Sequence, residues 1–238
     1  MIKGLILDFG GTIDTEGCHW GKMLWHAYER LHVPVTEEQF REAYVYAERT
    51  LGRNPIVLPT YTFKKLLDVK LRLEMEYLFM KDYWKVDKNT YSKIELELLN
   101  DLYGQVQATI ARSREVVKQL NAHYPMALVS NFYGNMPVVL QEFQLDDLFI
   151  EVVESAVVKV RKPDPAIFRL AVETLHLSPE EVTVVGDSIS NDIIPAKSVG
   201  CKTIWMRGEG WTNCCEVETV PDAVITTLQE LPVCVAQL

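Results

Sequence analysis

The sequence predicts an α/β fold: a doubly wound parallel sheet carrying an inserted α-helical cap. Three observations lead there. Short apolar runs stop at polar residues, helical signals lie between those runs, and one long stretch interrupts the alternation. Residues 3–9 (KGLILDF) form the first run, which ends at a Gly-Gly pair and suits a buried strand followed by a tight turn. Similar runs recur at Met126–Val129, Val182–Val185, Thr203–Met206 and Ala223–Ile225. Helices are expected from Ser113 to near Leu120, over Met136–Phe143, after the Asp164-Pro165 pair, and over Asn191–Val199, where Gly200 is a good stop. Ser178-Pro179-Glu180-Glu181 has capping-box spacing but runs into a strand at once, so only a turn is expected.

Residues 14–106 break the pattern. Trp20–Leu31 reads as a helix, Thr36-x-x-Gln39 is a capping box for a second, and Gly52–Pro59 is a break. Phe63–Met80 and Thr90–Val106 carry two further amphipathic patterns. The expected organisation is a Rossmann-like core from residues 1–13 and 107–238, with a helical cap over 14–106 entered and left through hinges near Ile13–Thr15 and Gly104–Ala108.

Composition narrows the function classes. Of 238 residues, 48% are hydrophobic and 24% charged, the mix of an ordinary globular protein. A net charge of −9, spread along the chain, argues against nucleic acid or an anionic membrane as partner. A small anionic substrate needs only a local positive pocket. No charged n-region precedes a long apolar segment, and no apolar run reaches the ~20 residues that span a bilayer. Five cysteines, including the vicinal pair Cys214-Cys215, form no ordinary disulfide framework, so reduced thiols in the cytoplasm are expected.

In open parallel sheets ligands bind beyond the carboxyl ends of the strands. Those ends carry Asp8, Ser130-Asn131 and Gly186-Asp187, with Asp192 soon after, while Lys162 precedes a helix mouth. Singly, each reads as a turn, cap or surface residue. As a set at one end of the sheet they point to chemistry. Crowded carboxylates repel unless a cation holds them, and a hard cation such as Mg²⁺ suits carboxylates, a backbone carbonyl and water. A carboxylate left free beside it can attack phosphorus, while a hydroxyl and an ammonium stabilise the transferring oxygens. Gly10 and Gly11 allow the backbone to approach a ligand closely.

Asp8-Phe9-Gly10-Gly11-Thr12 resembles the first motif of the haloacid dehalogenase superfamily, usually Asp-x-Asp-Gly-Thr. Leu128-Val129-Ser130-Asn131 resembles its second, Arg161-Lys162-Pro163-Asp164-Pro165 its third, and Val184–Asp192 (VVGDSISND) its fourth. The motifs come in the family's order, and residues 14–106 sit where that family inserts a helical cap. The resemblance, to the phosphatase-like branch, implies Asp8 as nucleophile. It implies Mg²⁺ on Asp8, Asp187 and the Gly10 carbonyl, with Asp192 at or behind the metal. Ser130 and Lys162, with Gly11, Thr12 and Asn131, would hold the phosphate of a small phosphorylated substrate.

One position departs from the pattern. Gly10 stands where the family's phosphatases carry the Asp that protonates the leaving group, a role typically worth ~10²–10⁴-fold. Asp14, Glu16 and His19 follow closely as candidate substitutes. Two further readings stay open. A phosphonate-type C–P hydrolase of the same superfamily would need a cap lysine for a Schiff base, with Lys22, Lys64 and Lys65 as candidates. Alternatively, the chain binds phosphate compounds with little turnover. A receiver-type signalling domain is set aside, because such domains place the acidic pair first and the phospho-acceptor on a later strand.

Overall fold

The computed structural model describes residues 1–211 and 220–238; the Cys214-Cys215 pair lies outside them. In chain order the elements are β1 (Gly4–Leu7), α1 (Trp20–Arg30), α2 (Glu37–Arg53), α3 (Phe63–Met80), α4 (Lys88–Asn121), β2 (Met126–Ser130), α5 (Met136–Glu142) and β3 (Glu151–Glu154). They continue with α6 (Ser155–Val158), α7 (Ala166–Leu175), β4 (Val182–Gly186), α8 (Ile194–Val199), β5 (Lys202–Met206), β6 (Ala223–Ile225) and α9 (Leu231–Ala236). Among the described residues the strands form one six-stranded sheet, ordered β3-β2-β1-β4-β5-β6, with every pairing parallel. This is the order of the doubly wound fold, and its switch point falls between β1 and β4. Leu7 pairs with Val185, so the residues that follow β1 and β4 emerge side by side.

Local signals explain most of the elements. All residues of β1, β2 and β4 are buried, as strands covered on both faces require. Thr36 and Gln39 close both bonds of the expected capping box at the start of α2. Gly200 ends α8 with a φ of 105°, a conformation that costs glycine little. Ser178 to Glu181 is the expected tight turn into β4. Asp164 accepts a bond from the Ala166 amide at 2.9 Å, so α7 starts one residue later than predicted, with Pro165 as its cap.

Two expectations require correction. The helices predicted over Thr90–Val106 and from Ser113 are one continuous 34-residue helix, α4. The stripe Leu98, Leu102, Val106, Ile110, Val117 stays buried through Gly104, and Ser113 donates to the Ile13 carbonyl at 2.8 Å rather than capping a helix. No loop therefore interrupts Gly104–Ala108 to act as a hinge. The second correction is β3, an edge strand that the sequence reading did not find.

α1, α2, α3 and the first half of α4 gather over the carboxyl end of the sheet. One apolar cluster runs from Leu5, Leu7 and Phe9 through Leu24, Tyr28, Phe40, Leu71 and Leu98, joining sheet and helical layer. Phe9 and Phe63 meet edge-on across that junction, with ring centroids 6.4 Å apart. Among the described residues no helix is long and apolar enough to cross a membrane.

Candidate active site

Asp8 follows β1 directly, its amide bonded to the Val185 carbonyl at 2.9 Å. Its carboxylate accepts from the Phe9 amide at 2.8 Å and lies 2.7 Å from the Lys162 ammonium. Lys162 bridges to Asp192, also at 2.7 Å, and both side chains are almost fully buried. The lysine is set by its own backbone: Asn131 donates to the Lys162 carbonyl at 3.0 Å and accepts from its amide at 2.9 Å. Asn131 is thus locked as a support between the ends of β2 and the Lys162 segment. Asp192 in turn accepts from the Ser188 amide at 3.0 Å.

Asp8, Asp187 and Asp192 present carboxylate oxygens within 4.8 Å of one another. Burial pushes the Asp8 carboxyl up to about 7, against the pull of Lys162 and with further push from Asp192. Burial, then Asp192 and Asp8, hold Asp187 well above the usual carboxylate range. Two buried acids and the half-buried Asp187, with one lysine among them, form a site short of positive charge. All-oxygen donors in that condition fit a hard divalent cation.

The site opens into a cavity of about 370 Å³, with Asp8, Gly10, Gly11, Ser130, Lys162 and Asp187 on its core side. Gly11 holds a φ of 95°, and a Cβ there would run into the Asp187 carboxyl, so only glycine admits that acid so close. Thr12 lies off the cavity wall. It is fully buried and donates to Asp187 at 3.4 Å, behind the carboxylate instead of on a ligand. The helical layer adds residues that helical periodicity gave no reason to choose: Glu48 of α2, Lys70 of α3, and several aromatic rings.

The candidate acids separate clearly. Both oxygens of Asp14 are engaged, by the Gly11 amide at 2.7 Å and the Trp20 indole N–H at 2.8 Å, and the residue lies off the cavity wall. Burial pushes it up to about 7 in that closed setting. Glu16 faces away, bonded to Arg112 and the Leu228 amide. His19 does line the cavity, but its Nδ1 accepts from the Gly21 amide at 3.0 Å, and burial lowers it to about 4. It is neutral near pH 7.

The loop after β5 straps the helical layer to the core. His19 donates its amide to the Glu209 carbonyl at 2.9 Å, Arg41 donates to the Trp211 carbonyl at 2.8 Å, and the Trp211 ring stacks on His19. A Cβ on Gly21 would strike the Trp211 ring. Gly21→Ala should therefore lift the strap and raise KM. Faster amide exchange at His19 and the first turn of α1 checks this; unchanged exchange would show that the ring shifts without loosening the loop.

With this geometry described, comparison identifies the family. Residues 5–206 match the haloacid dehalogenase-like hydrolases, and the chain belongs to that family. A phosphoglycolate phosphatase of Vibrio cholerae is 29% identical, covering 96% of each protein. A glyceraldehyde 3-phosphate phosphatase of Pyrococcus furiosus is 39% identical over 89 residues, a segment that covers 37% of each protein. Among solved structures, the hydrolase YfnB of Bacillus subtilis, bound to magnesium, superposes with a TM-score of 0.60 at 17% identity over 98% of both chains. A phosphatase of the family from Thermococcus onnurineus gives 0.56 at 24%, again over 98% of both. These structures share the fold.

Proposed function

We propose that the protein is a Mg²⁺-dependent phosphatase that acts on a small phosphorylated metabolite through an aspartyl phosphate on Asp8. The observation that carries this reading is the Asp8–Lys162–Asp192 chain beside Asp187 at the switch point. Asp8, Asp187, Asp192 and the Gly10 carbonyl would hold Mg²⁺, which supplies fixed positive charge for the phosphate oxygens. Lys162, shared between Asp8 and Asp192, offsets part of their charge, and it offers a donor where charge spreads over the equatorial oxygens. Ser130, buried on the cavity wall, offers a hydroxyl to the same oxygens.

In the first step an Asp8 oxygen attacks phosphorus and the bond to the leaving oxygen breaks. In the second, water attacks the aspartyl phosphate, releasing inorganic phosphate and restoring Asp8. Residues 14–106 act as the cap, covering the cavity that holds the leaving group. The setting is cytoplasmic, a reading supported by the free thiols at Cys18, Cys201 and Cys234.

The cap lysines weigh against the C–P hydrolase alternative. Lys22 pairs with Glu37, Lys65 pairs with Asp68, and Lys64 lies over the Tyr103 ring; none lines the cavity. Lys70 does, but it is held charged by Glu48 against the effect of burial, and a Schiff-base lysine needs the opposite shift.

The test is hydrolysis of phenyl phosphate, which should require Mg²⁺, stop on chelation and resume on re-addition. Asp187→Asn should raise the Mg²⁺ concentration needed for half-maximal rate by ~10-fold or more. Turnover indifferent to chelator and to Asp187→Asn would overturn the metal assignment.

A further inference from the structure

We infer that Glu48, Lys70 and Tyr133 form the subsite for the leaving group, and that this group is an uncharged ring bearing a hydroxyl, not a carboxylate. The inference rests on the phosphatase reading and deepens it. Charged side chains line the cavity in two groups. One is at the Asp8 end, where phosphate would sit. The other lies on the cap side, where the Lys70 ammonium is 2.5 Å from one Glu48 oxygen and Tyr133 donates to the other at 3.0 Å.

The charge of this second pole decides what it accepts. Lys70 is buried and its one cationic charge is matched by Glu48. Glu74, one helical turn along α3, is a further acid that interacts with both Lys70 and Glu48. It is fully buried, accepts from Tyr28 at 3.5 Å, and is pushed by burial up to about 8. It stays protonated near neutrality, so the pole carries no net charge. A carboxylate entering here would meet the Glu48 carboxylate and would have to displace it from Lys70, which is a repulsive arrangement in a poorly solvated site. A hydroxyl meets no such opposition. An ionised carboxylate accepts about four hydrogen bonds, and the Glu48 side chain keeps a third of its surface exposed.

Shape adds the ring. The cavity wall also carries the aromatic residues Trp20, Tyr44, Phe132, Tyr133 and Trp211. Lys70 lies 5.6 Å from the Trp20 ring centre and 6.0 Å from that of Tyr133, so the ion pair borders those faces. A two-carbon acid such as the glycolate of the Vibrio cholerae relative's substrate would leave most of this surface uncovered. A six-membered ring, saturated or aromatic, would cover it.

The experiment compares kcat/KM with Mg²⁺ for a hexose phosphate, 4-hydroxyphenyl phosphate, phosphoglycolate and phenyl phosphate. Between substrates with matched leaving groups, the hexose phosphate should exceed phosphoglycolate, or 4-hydroxyphenyl phosphate should exceed phenyl phosphate, by ~10-fold or more; which pair shows the preference distinguishes a sugar from an aromatic ring. Glu48→Gln removes the charge while keeping the shape and frees Lys70. It should shift the ratio of hydroxylated ring to phosphoglycolate at least ~10-fold towards phosphoglycolate. Tyr133→Phe, which leaves both charges in place, should move the ratio the same way by a smaller factor and covers the case of a poorly folding Glu48 variant. Phosphoglycolate preferred by the wild type, or a ratio that neither substitution moves, overturns the subsite while phenyl phosphate turnover leaves the phosphatase reading standing. No turnover of any of the four substrates overturns both.

Discussion

Replacing Lys162 with methionine should cut kcat/KM on every phosphomonoester by ~10²–10³-fold and destabilise the fold by ~3–5 kcal/mol near pH 8. Methionine fills a similar volume, so the effect comes from charge. Asp8 and Asp192 each lose a partner at 2.7 Å in a site almost closed to solvent. The sign of the pH dependence follows. Burial already holds Asp8 at about 7 with the lysine present, and without it that carboxyl moves higher. The folded state then binds more protons than the unfolded chain between the ordinary carboxylate range and that raised value. Stability therefore falls as pH rises through that window. Melting near pH 5 should lie close to wild type, whereas near pH 8 it should drop by roughly 6–20 °C for a chain of this size. Added Mg²⁺ should recover part of that loss by supplying the missing charge. A variant that melts and turns over like wild type at pH 8 would remove Lys162 from the site.

The core-side site was legible because two of its acids, Asp8 and Asp187, directly follow fully buried strands. Asp8 and Asp187 stand out as the first charges after four or more buried residues, and parallel order brings them together at the switch point. Elsewhere the local signal was weaker than the tertiary one. β3 is four residues long with its first half solvent-facing, so Glu151 and Glu154 mask the strand pattern. α4 was read as two helices because Gly104 and Ser113 resemble punctuation. Yet no side chain crowds Gly104, and the four-residue spacing of Leu98, Leu102, Val106 and Ile110 carries straight past it. Lys70 shows the limit most plainly. On an amphipathic helix a lysine reads as solvated, and only the packing of α2 against α3 brings Glu48 to it and buries Lys70 beside the cavity. Thr12 shows a role that its motif position did not suggest: its hydroxyl donates to Asp187.

Gly10→Asp should raise turnover of an alkyl phosphate such as a sugar phosphate by ~10²-fold, worth roughly 2.7 kcal/mol in the barrier. The backbone admits the change. Gly10 has φ −76° and ψ 116°, open to any L-residue, and a Cβ there would meet only the Trp20 indole, at 3.9 and 4.0 Å. Gly10 is on the cavity wall beside Asp8, so the new carboxyl enters where a leaving oxygen departs. The three neighbours that might have filled the role are committed elsewhere. Asp14 is closed off by Gly11 and Trp20, Glu16 is bound to Arg112 and Leu228, and His19 is neutral with Nδ1 engaged. On the proposed mechanism, an alkoxide in the wild type would then leave unprotonated and water would attack the aspartyl phosphate without a base. Aryl and acyl phosphates, whose leaving groups are stable anions, should suffer least from the missing acid. The variant should gain far more on a sugar phosphate than on an aryl phosphate of similar size, and in single-turnover experiments its aspartyl phosphate should decay faster. Equal gains on both substrates would indicate improved binding instead of proton transfer. Fast wild-type hydrolysis of the sugar phosphate, unimproved by the substitution, would mean that another group already donates the proton. His19, alone of the three on the cavity wall, would then be the residue to replace.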